Sequence, residues 1–110
     1  MYEENYIKGI ANTIISQMGG YSKLKAMVNA RDFSCGRILY NEFEQPYVKF
    51  KFSLNPKITS CMVIYDEGLD IYIMRFFNRA NNIVKEITDV YCDELIYNFQ
   101  ETTKLNLILF

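Results

Sequence analysis

The chain is 110 residues long, half of them hydrophobic and 15% aromatic, with nine Tyr, eight Phe and no Trp. This composition supports one folded domain over residues 1–110 and excludes disorder. Histidine is absent and the net charge is −1, which removes Ser-His-Asp and Cys-His catalysis, His-bearing zinc sites and the commonest general base together.

From Glu3 to Met18, Ile7, Ile10, Ala11, Ile14 and Met18 recur at spacings of three and four, the pattern of a one-sided helix. Gly19-Gly20 ends it by accepting a left-handed C-cap. Ser22 is then positioned to cap a second helix carrying Leu24, Met27 and Val28 and running out near Asn29. Beyond Gly36 the period becomes two. Val48, Phe50 and Phe52 alternate with Tyr47, Lys49 and Lys51, which predicts a strand with one buried and one wet face. A shorter strand, Ile38 to Phe43, precedes it through Glu44-Gln45-Pro46, where proline argues against continuous pairing. Ile58–Tyr65 and Leu69–Phe77 flank Asp66-Glu67-Gly68 and predict a hairpin whose glycine supplies a positive φ.

Ile83–Ile87 reads either as a further short strand or as the approach to a last helix. Thr88 or Asp89 caps that helix, Cys92, Leu95, Ile96 and Phe99 line its inner side, and Asp89, Asp93 and Glu94 favour its first turns. Leu107–Phe110 is expected as a terminal strand on a sheet edge. The fold class is therefore α+β: two N-terminal helices, an antiparallel sheet of about four strands, and a C-terminal helix packed on one face.

The three cysteines, Cys35, Cys61 and Cys92, form no CxxC pair and are odd in number, so a reduced cytoplasmic protein is expected. Cys61 and Cys92 read as core thiols; Cys35, in a loop beside Arg37, is the one candidate for reactivity. An acidic N-terminus and the lack of a long apolar run predict neither a signal peptide nor a membrane span. The glycines form neither GxGxxG nor a P-loop, and no metal or cofactor spacing is present.

Charge is unevenly spread. Residues 23–57 carry seven basic against three acidic side chains, and residues 58–110 four basic against eight acidic. Such a chain either presents a bipolar surface or interleaves the two halves and averages the charge. Two surface constellations follow. The acids Asp66, Glu67, Asp70, Asp89, Asp93 and Glu94 are the candidate partner-binding set, against the plainer reading of solvated turn acids and helix-start electrostatics. Tyr47, Lys49 and Lys51 with Arg75 and Arg79 are the candidate nucleic-acid set, since sheet aromatics stack bases while cations follow phosphates; a solvated amphipathic strand explains them as well.

Met18-Gly19-Gly20, Met27, Ala30-Arg31 and Phe33 resemble a widespread group of small uncharacterised bacteriophage and mobile-element proteins. The likeness continues through Val48–Lys51, the hairpin Tyr65–Tyr72 and Val90–Leu95 with Phe99-Gln100-Glu101. Val28-Asn29 stands where the group usually has Thr-Gly, and Lys104-Leu105 where it commonly has glycine. The resemblance implies a genetic context and no mechanism. Together these readings favour a non-enzymatic binding protein, an anti-CRISPR-like inhibitor of host defence that occludes a host or phage protein or ribonucleoprotein with its acidic face. A single-stranded nucleic-acid-binding accessory protein is the alternative. A third reading is homo-oligomerisation through Leu107–Phe110.

Overall fold

Apolar spacing places Ala11, Ile14 and Ile15 on the inner side of helix α1 (Tyr2–Gln17), with Met18 buried just beyond its end, in the computed structural model, which describes residues 2–107. The chain then turns sharply: Gly19 and Gly20 take φ of 109° and 95°, and the Gly20 N–H donates back to the Ile15 carbonyl at 2.9 Å. A Cβ on Gly19 would lie 2.8 Å from the Lys23 side chain as well as being strained. Helix α2 (Tyr21–Val28) starts directly from Gly20, without a side-chain cap. The expected Ser22 cap is therefore corrected, because the link leaves Ser22 inside the helix. Asn29 closes α2 in a left-handed conformation.

Among the described residues, three helices and five antiparallel strands make an α+β fold. The strands β1 (Arg31–Tyr40), β2 (Phe43–Lys51), β3 (Ser60–Asp66), β4 (Ile71–Phe77) and β5 (Ile83–Val90) lie in the sheet in sequence order. Five strands rather than about four arise because the segment beginning at Ile83 pairs with β4 as far as Val90 opposite Tyr72. Register shifts interrupt that ladder, and Ile83 and Val84 on the outer strand are half exposed.

Three turn details differ from expectation. Asn41 and Glu42, both at positive φ, form a two-residue connection between β1 and β2, so the expected strand Ile38–Phe43 is split there. Pro46 does not end pairing; it sits inside β2 opposite Arg37, where the β2–β3 ladder has not yet begun. In the β3–β4 hairpin the positive φ belongs to Asp70, not to Gly68.

All three helices pack toward one face of the sheet. Val48, Phe50 and Phe52 of β2 point into this core with Cys61, Val63, Met74 and Phe76. A 3₁₀ turn (Cys92–Glu94) leads into helix α3 (Leu95–Thr103), which inserts Phe99 among Phe50, Phe52 and Phe76 at ring-centroid distances of 6.2, 5.1 and 6.1 Å. The expected cap at Thr88 or Asp89 is corrected, since both residues belong to β5. Cys92 is exposed at the 3₁₀ turn instead of lining the inner helix face, whereas Leu95 and Phe99 are buried. Leu107 is buried but belongs to no strand, and the rest of the expected terminal strand, residues 108–110, lies outside the described residues. Among the described residues no helix is long and apolar enough to cross a membrane.

Among the described residues no helix lies against the opposite face. Met62, Ile64, Ile73 and Phe77 form a second small cluster there, bordered by Ile38, Tyr40 and Tyr47.

Because Phe99 is fully buried among three other rings, Phe99→Ala is expected to cost about 3–5 kcal/mol in urea unfolding. Tyr97→Ala, on the exposed side of the same helix, should stay within about 0.5 kcal/mol. Equal effects would contradict this packing.

Candidate functional site

In an up-and-down sheet alternate connections share an end, so the β1–β2 turn, the β3–β4 turn and the close of β5 lie together. The six candidate acids are spread over 29 sequence positions, Asp66 to Glu94. Asp66, Glu67 and Asp70 come from the second of these connections, while Asp89, Asp93 and Glu94 follow the close of β5. The Tyr72–Val90 register links the two groups.

Their local duties differ. Asp66 is buried, and its Oδ1 accepts the Gly68 and Leu69 N–H groups at 3.0 and 3.2 Å, with a longer bond from the Gln45 amide. Gln45 in turn accepts the Glu67 N–H at 3.1 Å, so the hairpin is tied to β2. Glu67 accepts a hydrogen bond from the Tyr6 hydroxyl and pairs with Arg37 at 3.1 Å. Arg37 also grips Glu3 at 2.9 Å and donates to the Glu44 carbonyl at 3.0 Å, joining α1, β1, β2 and the hairpin. The Glu3 and Glu67 carboxylates raise the Arg37 guanidinium further above its ordinary range, against the effect of burial. Hydrogen bonding to Tyr6 and then to Arg37 holds the Glu67 carboxyl below its usual value, against desolvation. Asp70 accepts the Tyr65 hydroxyl at 2.7 Å, which with burial pushes that phenol up to about 12. Glu94 accepts the Tyr91 N–H at 2.9 Å. Asp89 and Asp93 are exposed.

Between the two hairpin tips runs a groove of about 540 Å³, lined by Tyr40, Phe43, Glu44, Gln45, Glu67 and Leu69 among others. Phe43 and Leu69 are each 68% exposed. Both apolar side chains line the same groove beside Glu44 and Glu67. Neither residue, nor Arg37, belongs to the candidate acid set. The Asn41-Glu42 turn is the signal that points to Phe43, and its lack of glycine conceals it.

The candidate nucleic-acid residues divide between the helix-free face and its far end. Tyr47, Lys49 and Lys51 alternate on β2, and the registers Lys49–Met62 and Met62–Arg75 set Lys49 and Arg75 in one row across three strands. Both cations lie over rings: the Lys49 ammonium is 4.1 Å from the Phe77 ring centroid and 2.8 Å from Asn81 Oδ1, and the Arg75 guanidinium is 5.6 Å from the Tyr40 centroid. Arg75 also pairs with Glu86 at 2.7 Å, so its charge is largely neutralised. Lys51 and Arg79 lie at the end of the sheet opposite the acids, where β2 ends and β4 leads into β5.

Cys35 is in β1 and half buried, packed beside the main core, which corrects the expected loop position. It opens onto a cavity of about 280 Å³ between α1, α2 and the sheet, with Lys8, Tyr21 and Phe33. Burial raises the Cys61 thiol well above its ordinary range and keeps it protonated. Among the described residues no group of three His, Cys, Asp or Glu is placed to hold a metal ion.

No family model matches the chain, and neither a curated protein nor a solved structure matches it significantly.

Since the folded Glu67 carboxyl titrates below its ordinary 4.5, its contribution to stability is complete above that pH and is lost as pH falls through the lower folded value. Urea midpoints measured from pH 6 to pH 3 should therefore fall less steeply below pH 4.5 in Glu67→Gln than in the wild type. Parallel acid limbs would show that this carboxylate is not tied to Tyr6 and Arg37.

Proposed function

We propose that the protein is a non-catalytic binding protein of phage or mobile-element origin that covers a basic, apolar-bearing surface of a host or phage protein with its acidic end, in the manner of an anti-CRISPR inhibitor of host defence. The observation that carries the reading is the groove between the hairpin tips, where exposed Phe43 and Leu69 stand among Glu44, Glu67 and their acidic neighbours. Apolar anchors supply affinity while the surrounding charge selects the partner and speeds encounter.

The internal bonds of this end support the same reading. Asp66, Glu67 and Asp70 are held by Gln45, Arg37, Tyr6 and Tyr65, so the rim is ordered before a partner arrives and less freedom is lost on association. Glu42, Asp89 and Asp93 are exposed and remain to meet cations on the partner. A surface of about 800 Å² per partner is enough for a stable complex. The phage setting rests on the resemblance in the first helix, the Gly-Gly link and the following segment.

A photo-crosslinking amino acid placed at Phe43 in cells carrying a defence system should yield one discrete host-protein adduct, while the same group at Tyr97 on α3 should not. Phe43→Ala should weaken binding of the captured protein about tenfold, and Asp93→Lys should slow its association. Indiscriminate crosslinking from both positions, or full inhibition by a Phe43→Ala/Asp93→Lys variant, would refute the proposal.

A further inference from the structure

The end of the sheet opposite the acids carries a cleft of about 640 Å³ between the β2–β3 loop and the start of the β4–β5 loop. Arg31, Lys51 and Arg79 line it, and among the described residues no acidic side chain does. The three cations come from the start of β1, the end of β2 and the loop after β4, and only the antiparallel order brings them together. We propose that this cleft binds the phosphate backbone of a single-stranded nucleic acid.

The donors are arranged before any ligand arrives. Arg31 Nη1 donates to the Asn29 carbonyl at 3.1 Å and to Ser53 Oγ at 2.9 Å, and the Asn29 amide also bonds that hydroxyl. The guanidinium is thus fixed through one nitrogen, and among the described residues no hydrogen bond uses its Nε or Nη2. Lys51 has only a long, exposed pairing with Asp32 at 3.7 Å, which a phosphate can replace. Arg79 is exposed and has no ion pair among the described residues. The loop that forms the cleft wall is rigid: Asn55 accepts the Lys57 and Ile58 N–H groups at 2.8 and 2.9 Å and donates to the Thr103 carbonyl at 2.9 Å.

Two features favour a single strand over a duplex. Leu54 is held at φ 80°, a conformation leucine rarely adopts, and is 72% exposed at the cleft. It offers an apolar contact that an unstacked base can use. Lys49 and Tyr47 follow Lys51 along the same side of β2, so a strand that leaves the cleft in that direction runs toward an aromatic ring. A concave site with three converging cations fits one backbone, whereas a duplex is read by an element that projects into its groove.

Fluorescence anisotropy with a labelled oligo(dT) of about twelve nucleotides tests this on the intact protein. Binding should be micromolar at low salt, with log K falling against log salt at a slope near −2, as about three phosphate contacts on a single strand require. Arg79→Glu and Lys51→Glu should each weaken binding about tenfold and reduce the slope, while Lys85→Glu on β5 should leave both unchanged. Circular dichroism melts should show each variant folded. Oligo(rU) distinguishes RNA from DNA as the preferred strand, either of which supports the proposal. Absence of binding at low salt, equal binding of a duplex of the same length, complete competition by millimolar inorganic phosphate, or indifference to Arg79→Glu would each overturn it. The acidic groove takes no part in this test, so its outcome is independent of the crosslinking experiment.

Discussion

Among the described residues the helices lie on one side of the sheet, so its second apolar face has to be kept dry by its own side chains, and much of this molecule follows from that constraint. Met62, Ile64, Ile73 and Phe77 are all buried on the face that none of the described helices covers. Lys49 and Arg75 achieve this by lying flat, their aliphatic stems across the apolar strip and their charges over Phe77 and Tyr40. The aromatic and cationic pattern of a nucleic-acid-binding sheet is thus, in its central row, the covering of a second core. The cations available to a ligand are displaced to the end of the sheet.

The same topology separates charge. In a meander each hairpin returns the chain to the end it left, so turns rich in one sign accumulate there. Glu42, Glu44, Asp66, Glu67 and Asp70 meet at one end, while Arg31, Lys51, Lys57 and Arg79 meet at the other. The polarity runs along the strands rather than between the sequence halves, although the halves carry opposite totals. The two ends also differ in kind. The acidic end is stitched internally through Arg37 and Gln45 and presents apolar side chains, whereas the basic end holds a rigid loop and cations with few internal partners.

Much of the fold is legible in local pattern. The helical spacing before Gly19-Gly20, the alternation through Phe50 and Phe52, and the Asp66–Asp70 hairpin each encode burial on one side of a single element. Legibility ends where that condition fails. β5 is exposed along most of its length and shows no alternation, so its extent follows only from pairing with β4. The β1–β2 turn uses Asn41 and Glu42 without glycine, and Pro46 is tolerated only because β3 is not yet paired beside it. The acids could be named from the sequence, yet their meeting at one end depends on strand order, and the groove with Phe43 and Leu69 depends on two hairpins lying side by side.

The irregular ladder of β5 has a bearing on how the protein survives at high concentration. Among the described residues no strand lies beyond β5, so an outer row of amides and carbonyls beside half-exposed Ile83 and Val84 is offered to any extended chain. The register shifts against β4, together with Lys85, Glu86 and Asp89 along its length, break that row of groups into short stretches. At this edge, resistance to fibril-like stacking therefore comes from irregularity, and a smoother, more ideally paired β5 would be the more hazardous one.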